Sequence, residues 1–324
     1  MDNLSPQINK LKIIKYEAGR KSAWDGFINN SKNGTFLFYR NYMEYHADRF
    51  IDSSLMFFDD CDKLIAVMPA NLRDGVLFSH GGLTFGGIIS DANMKVTLML
   101  CAFDALKLYS KGQGIKKLIY KHIPHIYHCL PAEEDLYALF REGAKLVRRD
   151  VSSTLDMKER LPFSKGRKWA LKQSRKHELR VERSYDFKTF MTIEEYVLRS
   201  KYNLKPIHTA AEIGMLADRF PENIKLFSTY KQNEMLAGVI IYESRTVAHA
   251  QYISTTDEGK RIGALDVILE FLINDYYTHK KYFDFGISTE DEGHYLNVGL
   301  IENKQSYGAR AIVYDFYEID FNNS

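Results

Sequence analysis

The first residue that could do chemistry is a carboxylate in an apolar setting. Asp284 lies beside aromatic residues in the apolar run of residues 282–288. A carboxylate among apolar groups must find a partner or raise its pKa. Lys304, which follows a polar loop, is the partner that we expect. The pair indicates either a catalytic site or a structural ion pair, because both arrangements perturb titration.

Positive charge is concentrated in residues 164–183. Eight Lys and Arg residues face two glutamates there. If the segment is helical, four of them fall about one turn apart and form one cationic ridge, namely Lys168, Lys172, Arg175 and Lys176. Such a ridge indicates phosphate binding, from a nucleotide-sugar, a lipid diphosphate or an RNA backbone. The alternative is a solvated helix face.

Two glycine-containing turns follow strand-like segments. The turn of residues 257–264 precedes a predicted helix, whose first N–H groups could hold a pyrophosphate. An ordinary strand-to-helix turn explains it equally well. The turn of residues 80–87 contains four glycines, which allow positive φ or the close approach of a ligand, and a structural bend is the alternative.

Metal and hydrolase motifs have no support in the sequence. His122, His125 and His128 are spaced three apart, but Pro124 indicates an extended segment, in which this spacing alternates between faces. No carboxylate or thiolate with ligand spacing lies nearby, so we predict no metal site. GxSxG, HExxH and Walker motifs are also absent from the sequence.

The elements that position these residues occur twice. Residues 54–68 and 226–242 each read as a strand, four polar residues and a strand, which is typical of a hairpin. After each hairpin come a strand, a turn, an amphipathic helix and another strand. The helices are predicted at residues 94–109 and 264–277, and the last strands at residues 117–120 and 281–285. Half a chain per unit indicates an internal duplication.

We therefore predict two α+β domains, residues 1–157 and 158–324, each with a mostly antiparallel mixed sheet flanked by helices. The join falls within residues 150–163, close before the charged helix. Two helices are predicted ahead of the second hairpin, at residues 186–201 and 209–220. The second begins with a Thr cap and a Glu three residues later.

Composition and processing signals suit a folded cytoplasmic protein. Hydrophobic residues make up 45% of the 324 residues and charged residues 27%, which excludes a disordered chain. The net charge of +2 restricts polyanion attraction to local clusters, and we expect no DNA partner. Three scattered cysteines indicate a reducing compartment. The first sixteen residues lack a signal-peptide core, and the most apolar run, residues 96–106, is too short to span a membrane.

Taken in order, these features resemble the FemAB-like branch of the GNAT superfamily. The resemblance is carried by the duplicated unit, the basic helix, the strand-to-helix turn, and residues 283–286 followed by Lys304 and Tyr307-Gly308. Residues 117–155 resemble the closing part of the first unit in such proteins. The resemblance implies two tandem GNAT-like domains and acyl transfer to an amine, from acyl-CoA or from aminoacyl-tRNA.

The resemblance also implies roles for particular residues. Acceptor phosphate would contact the basic helix and nearby tyrosines, namely Arg167, Lys168, Lys172, Arg175, Tyr252 and Tyr295. The coenzyme would contact the turn residues Lys260, Arg261, Gly263 and Ala264. Aminolysis needs a proton acceptor and donors to the oxyanion. Asp284 or His249 would take the proton, Lys304 would stabilise the oxyanion, and Tyr307, with Tyr252 and Tyr295, would donate to the leaving group.

The function that we expect is N-acyl transfer from acyl-CoA to an amine of a sugar or peptide acceptor, small or lipid-linked, in cell-envelope or polysaccharide assembly. The first alternative is an amino-acid transferase that uses aminoacyl-tRNA. The second is a non-catalytic module that binds a phosphorylated glycan or RNA. The sequence indicates no oligomeric state.

Overall fold

The computed structural model describes residues 11–322. Contacts divide the chain into two compact units: the first comprises the residues up to 150, residues 292–294 and the residues from 313, and the second comprises residues 151–291 and 295–312. The division after residue 150 falls inside the segment predicted as the join. The boundary between residues 157 and 158 stays a prediction about the ends of the duplicated sequences. Residues 1–10, on which the prediction about export partly depends, lie outside the described residues.

The first unit begins with a short strand and two helices and then combines strands with the long helix α3 and the shorter α4. Its elements are β1 (Lys12–Lys15), α1 (Lys21–Asn30), α2 (Arg40–Met43), β2 (Leu55–Phe58), β3 (Leu64–Met68), β4 (Asn71–Arg73), β5 (Val76–Phe78), β6 (Ile89–Ser90), α3 (Val96–Gly112), β7 (Lys117–Lys121), α4 (Glu134–Arg141) and β8 (Lys145–Asp156), whose last part belongs to the second unit.

The second unit contains the basic segment, a hairpin and a helical crossover. Its elements are α5 (Lys165–Ser174), β9 (Arg180–Ser184), α6 (Phe187–Tyr202), α7 (Ala210–Arg219), β10 (Ile224–Lys231), β11 (Glu234–Glu243), β12 (Val247–Thr255), α8 (Asp257–Ile262), α9 (Ala264–Phe271), β13 (Tyr282–Ile287), β14 (Thr289–Glu290), β15 (Tyr295–Leu296), α10 (Val298–Gln305) and β16 (Arg310–Asp320), whose last part returns to the first unit.

The first unit has two small sheets. One has the strand order β1-β2-β3-β6 and is antiparallel, and the other has the order β4-β5-β7-β16, in which β5 and β7 are parallel. The β2–β3 hairpin is as predicted, and its turn is shaped by Asp59, whose carboxylate accepts the N–H groups of Cys61 and Lys63. Both sheets contribute to one core, which α3 and α4 complete through residues such as Phe103 and Leu139.

The second unit has a single main sheet with the order β8-β13-β12-β11-β10-β9. Neighbouring strands are antiparallel except β12 and β13, which are parallel and are joined through α8 and α9. The predicted hairpin is β10–β11. The predicted cap of α7 is also present: Thr209 accepts the N–H of Glu212, whose carboxylate accepts the N–H of Thr209.

The predicted α+β class, with mixed and mostly antiparallel sheets flanked by helices, is confirmed. In each unit a parallel strand pair, β5–β7 or β12–β13, has a helix between its two strands in the sequence. The helix predicted at residues 264–277 changes character part of the way along: α9 ends at Phe271, and residues 272–276 form a π-helical turn.

The two faces of the second unit's sheet differ in chemistry. Ala248, Ala250 and Phe283 belong to an apolar core that includes residues of α9. Successive residues of a strand point to opposite faces, so His249 and Asp284 point to the other face. Gly238 of β11 lies on that other face too, and a Cβ there would approach the ring of Phe190 in α6 to 2.4 Å. We call the face covered by α6 the polar face.

Within residues 11–322, no helix combines the length and the apolar character that a membrane crossing requires. The longest, α3, has 17 residues and carries Asp104.

Candidate active site

A histidine and an aspartate meet on the polar face of the second unit. His249 of β12 and Asp284 of β13 are register partners in the parallel pair, and the ring Nδ1 of His249 lies 2.7 Å from Oδ2 of Asp284. Asp284 is fully buried, whereas His249 keeps 9% of its surface exposed. The register of the two strands therefore creates a His–Asp dyad from residues far apart in the sequence.

Two hydroxyl groups hold the Asp284 carboxylate from the opposite strand. Ser152 Oγ and Thr154 Oγ1 of β8 donate to Oδ1 of Asp284 at 2.5 and 2.7 Å. Burial alone would raise the pKa of Asp284, but the hydrogen bond and charge of His249, together with the two hydroxyl groups, lower it below its ordinary value. The carboxylate therefore stays ionised at neutral pH and orients the imidazole.

The two strands that carry the dyad, β12 and β13, separate just beyond it. The pairing of β12 with β13 covers residues 247–249 and ends at the dyad. On its other side, β12 has a bulge, since Ile240 pairs with Tyr252 and Ile241 with Ala250, which leaves Gln251 as the extra residue. Bulges of this kind redirect side chains and free backbone groups beside functional sites. The dyad thus lies at the base of a gap between two parallel strands.

Gly286 leaves room beside the imidazole of His249. Its φ of +77° is in the left-handed region, where a side chain is strained. A Cβ at this position would lie 3.3 Å from Cε1 of His249. Glycine is therefore the residue that allows β13 to turn away here while the edge of the ring stays open.

Lys304 supports the turn that follows Gly286. Its ammonium donates to the carbonyl oxygens of Gly286 and Ile287 at 2.9 and 2.7 Å. Burial lowers its pKa to about 8, against the opposing influence of the Asp284 carboxylate. The expected partner of Asp284, Lys304, feels the charge of that carboxylate but donates to the backbone of residues 286 and 287, and the direct contact to Asp284 comes from His249.

Tyr252 shares the polar face with the dyad. Tyr252 of β12 pairs with Ile240 of β11, and its hydroxyl lies 2.6 Å from Nδ1 of His208. Two register positions away, Ser254 is buried beneath Glu194 of α6, and burial raises the pKa of the Glu194 carboxyl to about 7. A polar row therefore runs along β12 from the dyad towards α6.

Tyr307 and Tyr295 occupy different surroundings. The Tyr307 hydroxyl donates to Asp266 at 2.5 Å within the apolar core, and burial raises its pKa well above the ordinary value. Tyr295 is 57% exposed on β15. The dyad therefore assembles without either tyrosine in direct hydrogen bonding.

The turn predicted to hold a coenzyme follows the free end of β12. Lys260 and Arg261 are exposed on α8, and Arg261 forms an ion pair with Glu258 at 2.5 Å. Gly263, with φ of +76°, joins α8 to α9, and the buried Ala264 begins α9. The predicted turn is therefore wrong for most of its length: residues 257–262 form the helix α8, and Gly263 makes the bend before α9.

The basic segment is α-helical from Lys165 to Ser174, whereas Arg180 and Arg183 lie on β9. Lys176 donates to Gln173, and the remaining cations of the predicted site have two kinds of surroundings. Arg167 is largely buried: its guanidinium donates to Asp266 and Ser306 and stacks on the ring of Tyr307 at 4.1 Å. Lys168, Lys172 and Arg175 instead line a pocket of about 610 Å³. The Arg167 charge is thus neutralised within the fold, whereas the ridge of the other three faces a cavity.

One cluster of metal-ligating side chains occurs among the described residues. The ligand atoms of Asp59, Asp60 and Cys61, in the β2–β3 turn, lie close enough together to share an ion. Asp59 already accepts two backbone N–H groups there, which explains the cluster as turn structure. Two of the three closely spaced histidines have protein partners: His122 lies 3.2 Å from the Asp135 carboxylate, and His128 is hydrogen-bonded to the carbonyl oxygen of Ile123.

Sequence reasoning missed three residues of this site. Ser152 and Thr154 were noted as part of the resemblance but received no role, although residues two apart in a strand share a face and could have been matched with Asp284. Glu194 lies in the helix predicted at residues 186–201 and received no role, because only the packing of α6 on the sheet reveals its burial.

No family model and no curated protein sequence matches the chain. Solved structures do match it. FemX superposes with a TM-score of 0.68 at 10% identity, covering 96% of this chain and 98% of FemX. A tandem GNAT protein from the clavulanic acid biosynthesis pathway superposes with a TM-score of 0.51 at 10% identity over 96% and 98% of the two chains.

The C-terminal domain of a putative lysylphosphatidylglycerol synthetase from Agrobacterium fabrum gives a TM-score of 0.53 at 10% identity, over 83% of this chain and 84% of that one. At such low identity, these likenesses concern the fold alone. The chain therefore has a fold like that of FemX and of the tandem GNAT protein.

Proposed function

We propose that the chain is an N-acyltransferase that moves an acyl group from acyl-CoA to the amine of a sugar or peptide acceptor in cell-envelope or polysaccharide assembly. The observation that supports this most is the His249–Asp284 dyad at the point where β12 and β13 separate. The fold likeness to FemX and to a tandem GNAT protein supports the same class of reaction.

His249 is the general base in this proposal. The ionised Asp284 accepts the Nδ1–H of the ring, which leaves the lone pair on Nε2 for the acceptor amine. Nε2 takes the proton as the amine nitrogen bonds to the acyl carbon. Asp284 stabilises the resulting imidazolium, which then gives the proton to the departing thiolate sulfur.

The gap beyond the dyad would hold the donor. There the backbone groups of β12 and β13 are not paired with each other, so an extended arm that carries amides can add to them as a strand would. The exposed Lys260 and Arg261, at the end of β12, would contact the coenzyme phosphates. Lys304 uses two of its three N–H donors on carbonyl oxygens, and we assign the third to the oxyanion.

A second candidate is transfer of an amino acid from aminoacyl-tRNA. The likeness to FemX, with a TM-score of 0.68 against 0.51 for the tandem GNAT protein, favours this donor. The same dyad would serve, because aminolysis of an ester needs the same proton acceptor as aminolysis of a thioester. The two candidates differ in the donor and share the catalytic residues.

The experiment is a transfer assay with His249→Gln. Release of free thiol from acetyl-CoA is followed with a panel of amino-sugars and peptide amines, and esterified tRNA is supplied in a parallel arm. We expect the variant to lose about 10²–10⁴-fold in turnover. The matched control is His279→Gln, an exposed histidine of the same unit, which should retain full turnover.

Ligand binding separates the donors. A ligand at about a hundred times its dissociation constant stabilises the folded state by about 2.7 kcal/mol. Stabilisation by acetyl-CoA selects the first candidate, and stabilisation by charged tRNA alone selects the second. Full turnover in His249→Gln would remove the dyad from the mechanism.

A further inference from the structure

A pocket in the second unit lies apart from the dyad. It has a volume of about 610 Å³ and is lined by α5, the segment before it, the end of α9 and the π-helical turn. Leu155 lines this pocket, whereas its neighbour Thr154 donates to Asp284. Because consecutive strand residues point to opposite faces, the pocket and the dyad lie on opposite faces of the sheet.

The wall of the pocket carries uncompensated positive charge. Its ionisable residues are four cations and one carboxylate, namely Arg160, Lys168, Lys172, Arg175 and Glu270. Arg175 contacts the carboxylate at 3.2 Å, and Arg160 donates to the carbonyl of Ile273 and to Asn274. Within residues 11–322, no carboxylate forms an ion pair with Lys168 or Lys172. Like charges four residues apart destabilise a helix unless something compensates them.

The floor of the same pocket is apolar. Leu155 and Leu171 are almost fully buried, and Phe163, Leu161 and Pro162 complete the lining. A solvated helix face needs no such floor. Small-molecule sites typically have this volume, with apolar walls and a few convergent polar groups. The π-helical turn supplies part of the rim, and turns of this type recur at functional sites.

We infer that this pocket binds a small phosphorylated molecule whose phosphate contacts Lys168 and Lys172 and whose apolar or ring-bearing body rests on Leu155, Phe163 and Leu171. A single phosphate would leave most of the volume unfilled, and an extended RNA backbone would not use the apolar floor. Because the sheet separates it from the dyad, this second site does not require the proposed reaction.

The chain supplies its own optical probe for a test. Trp169, beside Lys168, is 66% exposed, whereas Trp24, the other tryptophan, is buried in the first unit. Fluorescence of the full-length protein is titrated with ADP, octyl phosphate, inorganic pyrophosphate and a short single-stranded RNA. We expect ADP or octyl phosphate to bind at least tenfold more tightly than pyrophosphate, and whichever of the two binds more tightly identifies a ring or an alkyl body.

Two variants connect binding to the pocket. Lys168→Met with Lys172→Met should weaken binding about tenfold or more per lysine, since hydrogen bonds to charged groups are strong. Lys165→Met, on the same helix but outside the lining, should bind as the wild type does. His249→Gln should also bind normally, which separates this site from the reaction. Equal affinity in the double variant and the Lys165→Met control, no advantage over pyrophosphate, or binding of RNA alone would overturn the inference.

Discussion

Replacing Glu194 with glutamine tests whether the polar face contains a buried acid. Glu194 is 7% exposed, and burial raises the pKa of its carboxyl from 4.5 to about 7, with a smaller opposing effect of Ser254. A carboxyl whose pKa is higher in the folded protein favours folding below its unfolded pKa. That contribution is lost as the pH rises through the folded pKa.

The size of the effect follows from the two pKa values. Each pKa unit corresponds to about 1.36 kcal/mol, so ionisation of Glu194 costs the folded wild type about 3 kcal/mol once the pH is well above 7. The glutamine amide is uncharged at every pH, and it can donate to Ser254 Oγ, the hydroxyl that opposes the rise in the pKa of Glu194. We expect Glu194→Gln to resemble the wild type near pH 4, below the unfolded pKa, and to be about 3 kcal/mol more stable near pH 8.5.

The assay is urea denaturation of both proteins at the two pH values, followed by circular dichroism. Effects of other titrating groups cancel in the difference between variant and wild type, provided that they do not contact Glu194. The matched control is Glu195→Gln, the exposed neighbour, which forms a weak contact with Arg199 at 3.6 Å. It should change stability by less than about 0.5 kcal/mol at either pH. A difference for Glu194→Gln that does not grow with pH would refute the reasoning.

Three further substitutions probe the surroundings of the dyad. Gly286→Ala should lower the free energy of unfolding by about 1–2 kcal/mol in urea denaturation, because of its positive φ, and should slow transfer by crowding His249; unchanged stability and rate would contradict this. Arg167→Lys should lose about 1.5–3 kcal/mol of stability because a lysine cannot keep the contacts of the guanidinium to both Asp266 and Ser306, and an unaltered melting temperature would contradict that role. Lys304→Ala should abolish turnover in a protein that still folds, and full activity of the variant would exclude Lys304 from the mechanism. Turnover of the wild type should fall as the pH rises through about 8, because the Lys304 ammonium loses its proton there.

Local patterns in the sequence were sufficient for the individual elements. The polar turn after β2 and the Thr209 cap are signals contained within a few residues, and both elements formed as predicted. The repeated order of hairpin, helix and strand indicated the fold class for the same reason. Such features depend on neighbours along the chain, which a single sequence displays directly.

The contacts between side chains in the candidate site could not be predicted from such local patterns. Asp284 was expected to bond Lys304, but the parallel register of β12 and β13 brings His249 to it instead. The bulge at Gln251 shifts which residues of β12 face α6. A register and a bulge are set by the packing of whole elements, so composition and spacing leave them undetermined.

The position of the basic ridge relative to the sheet could not be predicted from the sequence either. Its charge was visible in the sequence, and its helical spacing placed Lys168 and Lys172 together. Whether that helix covers the face of the dyad or the opposite face depends on how the helix crosses the sheet. The structure places the pocket opposite the dyad, so the ridge and the dyad are better treated as two sites.

The hydroxyl groups that hold Asp284 also bear on how the protein is made. Ser152 and Asp284 are 132 residues apart in the chain, and Lys304 comes later still. Contacts of such long sequence separation close late and slow the search for the native state. Nascent chains that end before β13 therefore contain the imidazole without its orienting carboxylate, and activity should arise only after β13 and Lys304 have been synthesised.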